Sequence, residues 1–254
     1  MKGALLAGGG AVGGAAAFTA MGPVSWQRAA TGLTYRVGEI EHQVPDLRFE
    51  GAAPCLLRPG VLARMRTLLR YTHELLAREG IAHWLTTGTL LGALRHRGFI
   101  PWDDDIDLQV PLTALPALLA LRPRIERDGH HLYRAAGGFK LARGGPGRYP
   151  YVDLVMVAPR AGRMALCFPL DREGRPTFAK ARQWPRECMR EEELFPLGEC
   201  EFEDLRLPVP RASGEILREM MGADVLTTVR HRRGGRWIHH LAMMTLFRLG
   251  LSGG

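Results

Sequence analysis

The sequence lacks most of the motifs that would classify it at once. Its four cysteines, Cys55, Cys167, Cys188 and Cys200, include no CxxC pair, and no histidine lies at zinc-finger spacing from them. A structural zinc site is therefore not expected. Their even number permits disulfides in an oxidising compartment and equally permits buried free thiols. GxGxxG is missing, and Gly8-Gly9-Gly10 follows no convincing strand, which excludes a dinucleotide loop. There is no long Lys/Arg run, although the net charge is +8 and the pI near 9.8. The basic excess is largely arginine and is dispersed. That suits a phosphate-bearing small molecule or a glycan better than nucleic acid, and no nucleic-acid partner is expected. Beyond the N-terminus no stretch is long and apolar enough to span a bilayer. Internal repeats are absent.

What is present is an ordinary globular composition, 46% apolar and 24% charged over 254 residues. That suits one sizeable domain, alone or with a small appendage. No residue between Lys2 and Arg28 is charged, and Leu5 to Ala20 is rich in Gly and Ala. Residues 1–24 read as a signal peptide or weak membrane anchor, or else as a flexible leader. The first reading implies association with a secretory-pathway or Golgi membrane, the second a cytoplasmic protein. Residues 25–59 read as an irregular linker or lead-in, punctuated by Pro54 and by Arg58-Pro59-Gly60. A helix is predicted after Pro59, with Val61, Leu62, Met65, Leu68, Leu69, Leu75 and Leu76 on one side, ending near Gly80. Residues 226–254 form a basic tail. Arg230 to Arg236 precede Ile238, Leu241, Met244, Phe247 and Leu251 at helical spacing, a face for a membrane surface or for a protein core.

The stretch from His83 to Pro111, HWLTTGTLLGALRHRGFIPWDDDIDLQVP, holds the densest chemistry. Four carboxylates, Asp103, Asp104, Asp105 and Asp107, fall within five residues. Like charges at one spot repel, so a fold does not gather them for stability. A bound cation is the usual compensator. An EF-hand calcium loop is excluded, because its glycine and terminal Glu are missing. Just upstream lie a small-residue turn, Thr86-Thr87-Gly88-Thr89, and the basic Arg95 and Arg97.

Local patterns place these residues. Ile81 to Leu85 is a short strand, Thr89 to His96 a helix stopped by Gly98. Ile106, Leu108 and Val110 alternate with Asp105, Asp107 and Gln109, which predicts a strand ending at Pro111 with Asp105 and Asp107 on one face. A helix over Leu112 to Leu121 follows. Then come strands at His131–Ala135, Gly138–Arg143 and Tyr151–Val157, the last two joined by a tight loop at 144–147. Asp153 is the one charge in a buried-type strand and needs a partner; a cation shared with Asp105 and Asp107 would supply it. Residues 160 to 195 read as surface structure with short strands, Cys200 to Val209 as an edge strand or hairpin, and Ala212 to Met221 as a short helix. Two carboxylates at i and i+2 on a strand, with a third on a neighbour, suit Mg²⁺ or Mn²⁺, hard ions that keep positions open for water and phosphate. Gly88 and Thr89 open a helix, whose N–H groups and hydroxyl suit phosphate. Arg95, Arg97 or Lys140 would add positive charge.

The runs Gly88 to His96 and Gly98 to Asp107 together resemble the signature of the LicD family. That family includes bacterial phosphocholine transferases and the eukaryotic ribitol-phosphate transferases fukutin and fukutin-related protein. It lies within the DNA polymerase β-type nucleotidyltransferase superfamily. Weaker similarity continues through Gly138-Phe139-Lys140-Leu141, Val152-Asp153-Leu154, Cys200-Glu201-Phe202-Glu203 and Leu207-Pro208-Val209-Pro210, covering about residues 60 to 225. The resemblance implies an α+β fold over 60–225, a nucleotidyltransferase-type mixed β-sheet flanked by helices. It implies transfer of a phospho-alcohol (phosphocholine, or ribitol or glycerol phosphate) from a CDP-activated donor to a hydroxyl of a glycan or glycolipid, with release of CMP. Carried over by position, Asp105, Asp107 and Asp153 would be catalytic and bind the Mg²⁺ or Mn²⁺, with Asp153 either ligand or general base. Gly88 and Thr89 would hold donor phosphates, with Arg95 and Lys140 as further substrate contacts. Asp103 and Asp104 would be supporting or turn residues, Asp103 able to share the metal. Asp153 sits in Tyr-Val-Asp-Leu-Val rather than in an acidic-aromatic context, and the chain has no obvious insertion to shape an acceptor pocket. Two other readings compete: a catalytically inactive relative that binds nucleotide or glycan or scaffolds an active transferase, and an enzyme that transfers the nucleotide itself. Retention of Asp105, Asp107 and Asp153 favours the phosphotransferase.

Overall fold

The computed structural model of the chain describes residues 33–37, 40–44, 48–51, 57, 59–135, 138–167 and 176–231. In chain order its elements are β1 (Leu33–Val37), β2 (Ile40–Val44), β3 (Arg48–Gly51), α1 (Pro59–Arg78), β4 (Trp84–Leu85), α2 (Thr87–His96), β5 (Asp107–Pro111), a 3-10 turn (Leu112–Ala114), α3 (Leu115–Ala120) and α4 (Arg122–Arg127). Then follow β6 (His130–Ala135), β7 (Gly138–Arg143), β8 (Tyr151–Arg160), β9 (Arg163–Leu166), α5 (Ala179–Gln183), a turn at Pro185–Glu187, β10 (Met189–Arg190), α6 (Glu191–Leu194), β11 (Gly198–Phe202), β12 (Leu205–Val209), α7 (Ser213–Met221) and β13 (Thr228–His231).

The fold is α+β, and its central sheet is mixed. β8 is the spine. On one side it pairs in parallel with β5, which in turn pairs with β4; on the other, its first half pairs antiparallel with β7 and its last residues with β9. β6 extends the sheet from β7, and β10 extends it from β9. β8 reaches Arg160, beyond the expected end at Val157, because Ala161 and Gly162 both take positive φ (51° and 72°) and close a two-residue hairpin to β9.

One face of this sheet is the core. Leu141, Val152, Leu154, Met156, Leu108 and Val110 are buried against α1, whose Val61, Leu62, Met65, Leu68, Leu69, Leu75 and Leu76 are all buried as the periodicity predicts. The helix starts at Pro59, where a missing N–H costs nothing, and stops at Gly80, whose positive φ of 65° continues no helix. The other face carries the polar residues described below near the start of β5 and β8, and farther along a second apolar cluster of Trp84, Val157, Leu166, Met189, Leu194 and Ile216.

Several expectations are corrected. Residues 25–59 are not irregular throughout: β1 and β2 form an antiparallel pair, and β3 pairs in parallel with β13. The alternating strings LTYRV and IEHQV favour strands. The tail expected from 226 begins with that strand β13, and everything beyond His231 lies outside the described residues, as do residues 1–24. The helix expected over 112–121 is a 3-10 turn and the short α3, with α4 starting anew at Arg122; Pro116 and Pro123 each sit in a first helical turn, where they lack the N–H that a helix running through from before would need. Among the described residues no helix is long and apolar enough to cross a membrane.

Two contacts set the course of the chain from α2 to the acidic loop. At the end of α2 the left-handed residue is Arg97 (φ 53°), not Gly98. Gly98 instead packs its carbonyl against Gly92, where an added Cβ would lie 2.5 Å from the oxygen. The β11–β12 turn then holds the next residues. Glu203 donates its backbone N–H to the Arg97 carbonyl at 2.6 Å, and its enclosed carboxylate faces Arg66 Nε at 3.3 Å. Arg66 and Arg70 both reach Asp204 beside it.

Gly92→Ala should therefore lower the unfolding free energy by roughly 1–3 kcal/mol, read as a lower urea midpoint at unchanged m, as the Gly98 turn is pushed off the helix. Burial, which outweighs the nearby Arg66, raises the Glu203 carboxyl to about 7. The folded state thus prefers its protonated form: that stability is complete below the unfolded value near 4.5 and is lost as pH rises through 7. Glu203→Gln should melt like wild type at pH 5 and above it at pH 8.5; equal melting at both would show that Glu203 titrates normally.

Candidate functional site

The site is built where β4 gives way to α2. β4 has only two residues, paired with Leu108 and Gln109 of β5. Thr86 is still extended, and Thr87 turns into the left-handed region (φ 47°), which is costly for a β-branched residue. The turn brackets one carboxylate. The Thr87 hydroxyl donates to Asp107 Oδ2, and the Asp107 N–H donates to Thr89 Oγ1 at 2.9 Å. Gly88 is needed for another acid: a Cβ there would overlap Asp103 Oδ2. Asp103 thus packs on the first turn of α2, where the helix N–H groups favour an anion. The space over Gly88 that the sequence reserved for donor phosphate adjoins this carboxylate.

β5 begins only at Asp107, although the Asp153 N–H of β8 still reaches the Ile106 carbonyl at 2.7 Å. Asp105 lies in the preceding loop, so it does not share a strand face with Asp107 as the alternation predicted. The loop gathers the acids instead. Carboxylate oxygens of Asp103, Asp104 and Asp105 all lie within 4.8 Å of one another, each side chain half-buried. Burial, then Asp107, Asp104, Asp103 and Asp153 in turn, push the Asp105 carboxyl well above the usual carboxylate range. A half-buried, all-oxygen set of this charge fits a hard divalent ion such as Mg²⁺ or Mn²⁺. The cluster so gathered is Asp103, Asp104 and Asp105, whereas the sequence grouped Asp105 with Asp107 and Asp153.

Across the sheet runs a row fixed by strand register: Tyr133 on β6 opposite Lys140 on β7, Lys140 opposite Asp153 on β8, and Asp153 opposite Asp107 on β5. Asp107 and Asp153 are therefore neighbours, as the sequence required. Asp153 has a protein partner rather than depending on a cation: Lys140 Nζ lies 2.8 Å from its Oδ2 and 3.4 Å from the centroid of the Tyr151 ring. Burial opposes the charge on Lys140, but Asp153 and then Tyr151 outweigh it and hold the ammonium protonated above its ordinary range. Burial raises the phenols of Tyr149 and Tyr151, and the nearby acids add to this, so both remain neutral donors beside the cluster.

Arg95, expected at substrate, points into the interior. It is buried, its Nη1 donates to the Val225 carbonyl at 3.0 Å, and burial, opposed by Asp103, lowers it to about 10. Arg97 is exposed at the end of α2. Sequence reasoning missed Thr87 and Tyr151. The run of threonines was the only signal for Thr87, and nothing in it says which hydroxyl turns onto Asp107.

A protein-family model described as LicD/FKTN/FKRP, nucleotidyltransferase domain, matches residues 80–212. Individual relatives match in part. The mouse protein named ribitol 5-phosphate transferase FKRP is 32% identical over 135 residues, 50% of this chain and 26% of its own. The Haemophilus influenzae protein named lipopolysaccharide cholinephosphotransferase LicD is 58% identical over 41 residues, 16% of each chain. An uncharacterized Rickettsia prowazekii protein is 43% identical over 63 residues, 25% of this chain and 24% of its own. The matched stretches thus span about a quarter or less of these relatives.

The crowding of acids predicts that Asp105→Asn stabilises the ion-free protein. In EDTA at neutral pH its melting point should exceed that of wild type by the equivalent of roughly 1–2 kcal/mol. Added Mg²⁺ or Mn²⁺ should then raise the wild type and leave the variant nearly unmoved. A variant less stable than wild type in EDTA would mean that Asp105 is not under repulsion.

Proposed function

The chain belongs to the LicD/FKTN/FKRP nucleotidyltransferase-domain family, and from that premise we propose that it is a metal-dependent phosphotransferase. It moves a phospho-alcohol from a CDP-activated donor to a hydroxyl of a glycan or glycolipid. One observation carries the reading above all: Asp107 and Asp153 stand opposite each other on adjacent strands, with Asp103, Asp104 and Asp105 gathered beside them at the start of α2, all within the matched residues. The names of the relatives, a ribitol 5-phosphate transferase and a cholinephosphotransferase, support transfer of a phosphorylated alcohol.

The acceptor oxygen attacks the phosphorus that bears the alcohol. The bond from that phosphorus to the bridging oxygen breaks, and CMP leaves with the electron pair. The acceptor's proton passes in this scheme to Asp153 as general base. Asp105 and Asp107, with Asp103 alongside, would hold a divalent ion, which supplies charge neutralisation for the phosphates when bound. Thr87 and Thr89 fix Asp107 from both sides. The N–H groups at the start of α2, near Gly88 and Thr89, favour negative charge and would help seat the donor phosphates.

Purified protein incubated with Mg²⁺ or Mn²⁺ and CDP-ribitol, CDP-glycerol or CDP-choline, together with a glycan acceptor, should release CMP from one of the three. Asp105→Ala and Asp107→Ala should each reduce the rate roughly 100-fold or more, and EDTA should abolish it. Undiminished release by both variants would overturn the site.

A further inference from the structure

We propose that Lys140 is a positioning residue for Asp153 and not a contact for the donor phosphates; this rests on the transfer reading above. Three independent restraints converge on the one side chain. Strand register sets its backbone directly across from Asp153. Its ammonium lies 2.8 Å from Asp153 Oδ2. The same atom stands 3.4 Å above the Tyr151 ring, whose electron-rich face attracts a cation. A lysine usually swings freely on a four-carbon stem. This one is only 15% exposed and is held from two directions.

The role follows from charge. Asp153 faces Asp107 across the parallel strand pair, and Asp105 also acts on the same ammonium. Without a cation, the Asp153 carboxylate would swing away from its acidic neighbours toward solvent. Lys140 offsets that repulsion, and by taking Oδ2 it leaves Oδ1 for the reacting hydroxyl. A lysine that left to meet a phosphate would undo this arrangement at the moment of reaction. Tyr151 is the backrest that keeps it in place.

Two measurements test the assignment. The first uses the CMP-release assay. Lys140→Met should lower kcat by about 100-fold while donor KM changes less than about threefold, and Lys140→Arg should recover at least a tenth of the wild-type rate. A large rise in donor KM at unchanged kcat would overturn the proposal, as would an arginine variant no better than the methionine one. The second does not use activity. Lys140→Met and Asp153→Asn should each lower the melting temperature, and the double variant should melt well above the sum of the two losses. Additive losses would show that the two side chains do not hold each other. If wild type releases no CMP while this coupling persists, the transfer reading falls and the pairing stands.

Discussion

Asp107 and Asp153 meet because β5 and β8 pair in parallel at one register. Side chains alternate along a strand, so a slip of one residue would send either carboxylate into the apolar core. That core is what prevents the slip. Leu108 and Val110 of β5, and Val152, Leu154 and Met156 of β8, are all buried on the face that packs against α1. The polar row on the opposite face is thus a by-product of hydrophobic packing. Stability and site geometry are set by the same pairing.

Around that pairing the electrostatics are lopsided. Four acids of one short segment and Asp153 from another strand share a half-buried space, and the ammonium of Lys140 is claimed by Asp153. The hydroxyl of Thr87 and the N–H groups opening α2 soften the imbalance without cancelling it. Such an arrangement makes little sense as scaffolding, since removing Asp105 would relieve its acidic neighbours. It agrees with the proposed transfer, in which a cation and donor phosphates would meet these acids.

Much of this was legible in the sequence, and the reasons are local. The spacing of Val61 to Leu76 announced α1 because a helix repeats every 3.6 residues against one surface. Asp153 announced itself as the only charge in an apolar strand. The acid-rich run and the Gly88-Thr89 turn marked the site. What could not be read depends on partners distant in sequence. Asp105 looked like part of β5, but the strand begins only at Asp107, and Asp105 is gathered with Asp103 and Asp104 in the loop before it. Lys140 looked like a free positive charge until β7 was laid beside β8. Arg95 sat within the most informative stretch, yet its partner is a carbonyl 130 residues away.

α2 is held at both ends by unlike means. Its first turn grips Asp107 through Thr87 and Thr89, and its last turn is pinned by Arg95 to Val225. Ten residues of helix make a rod about 15 Å long, too stiff to compress. The turn that holds Asp107 and the segment around Val225, distant in the chain, are thus joined through a single short helix.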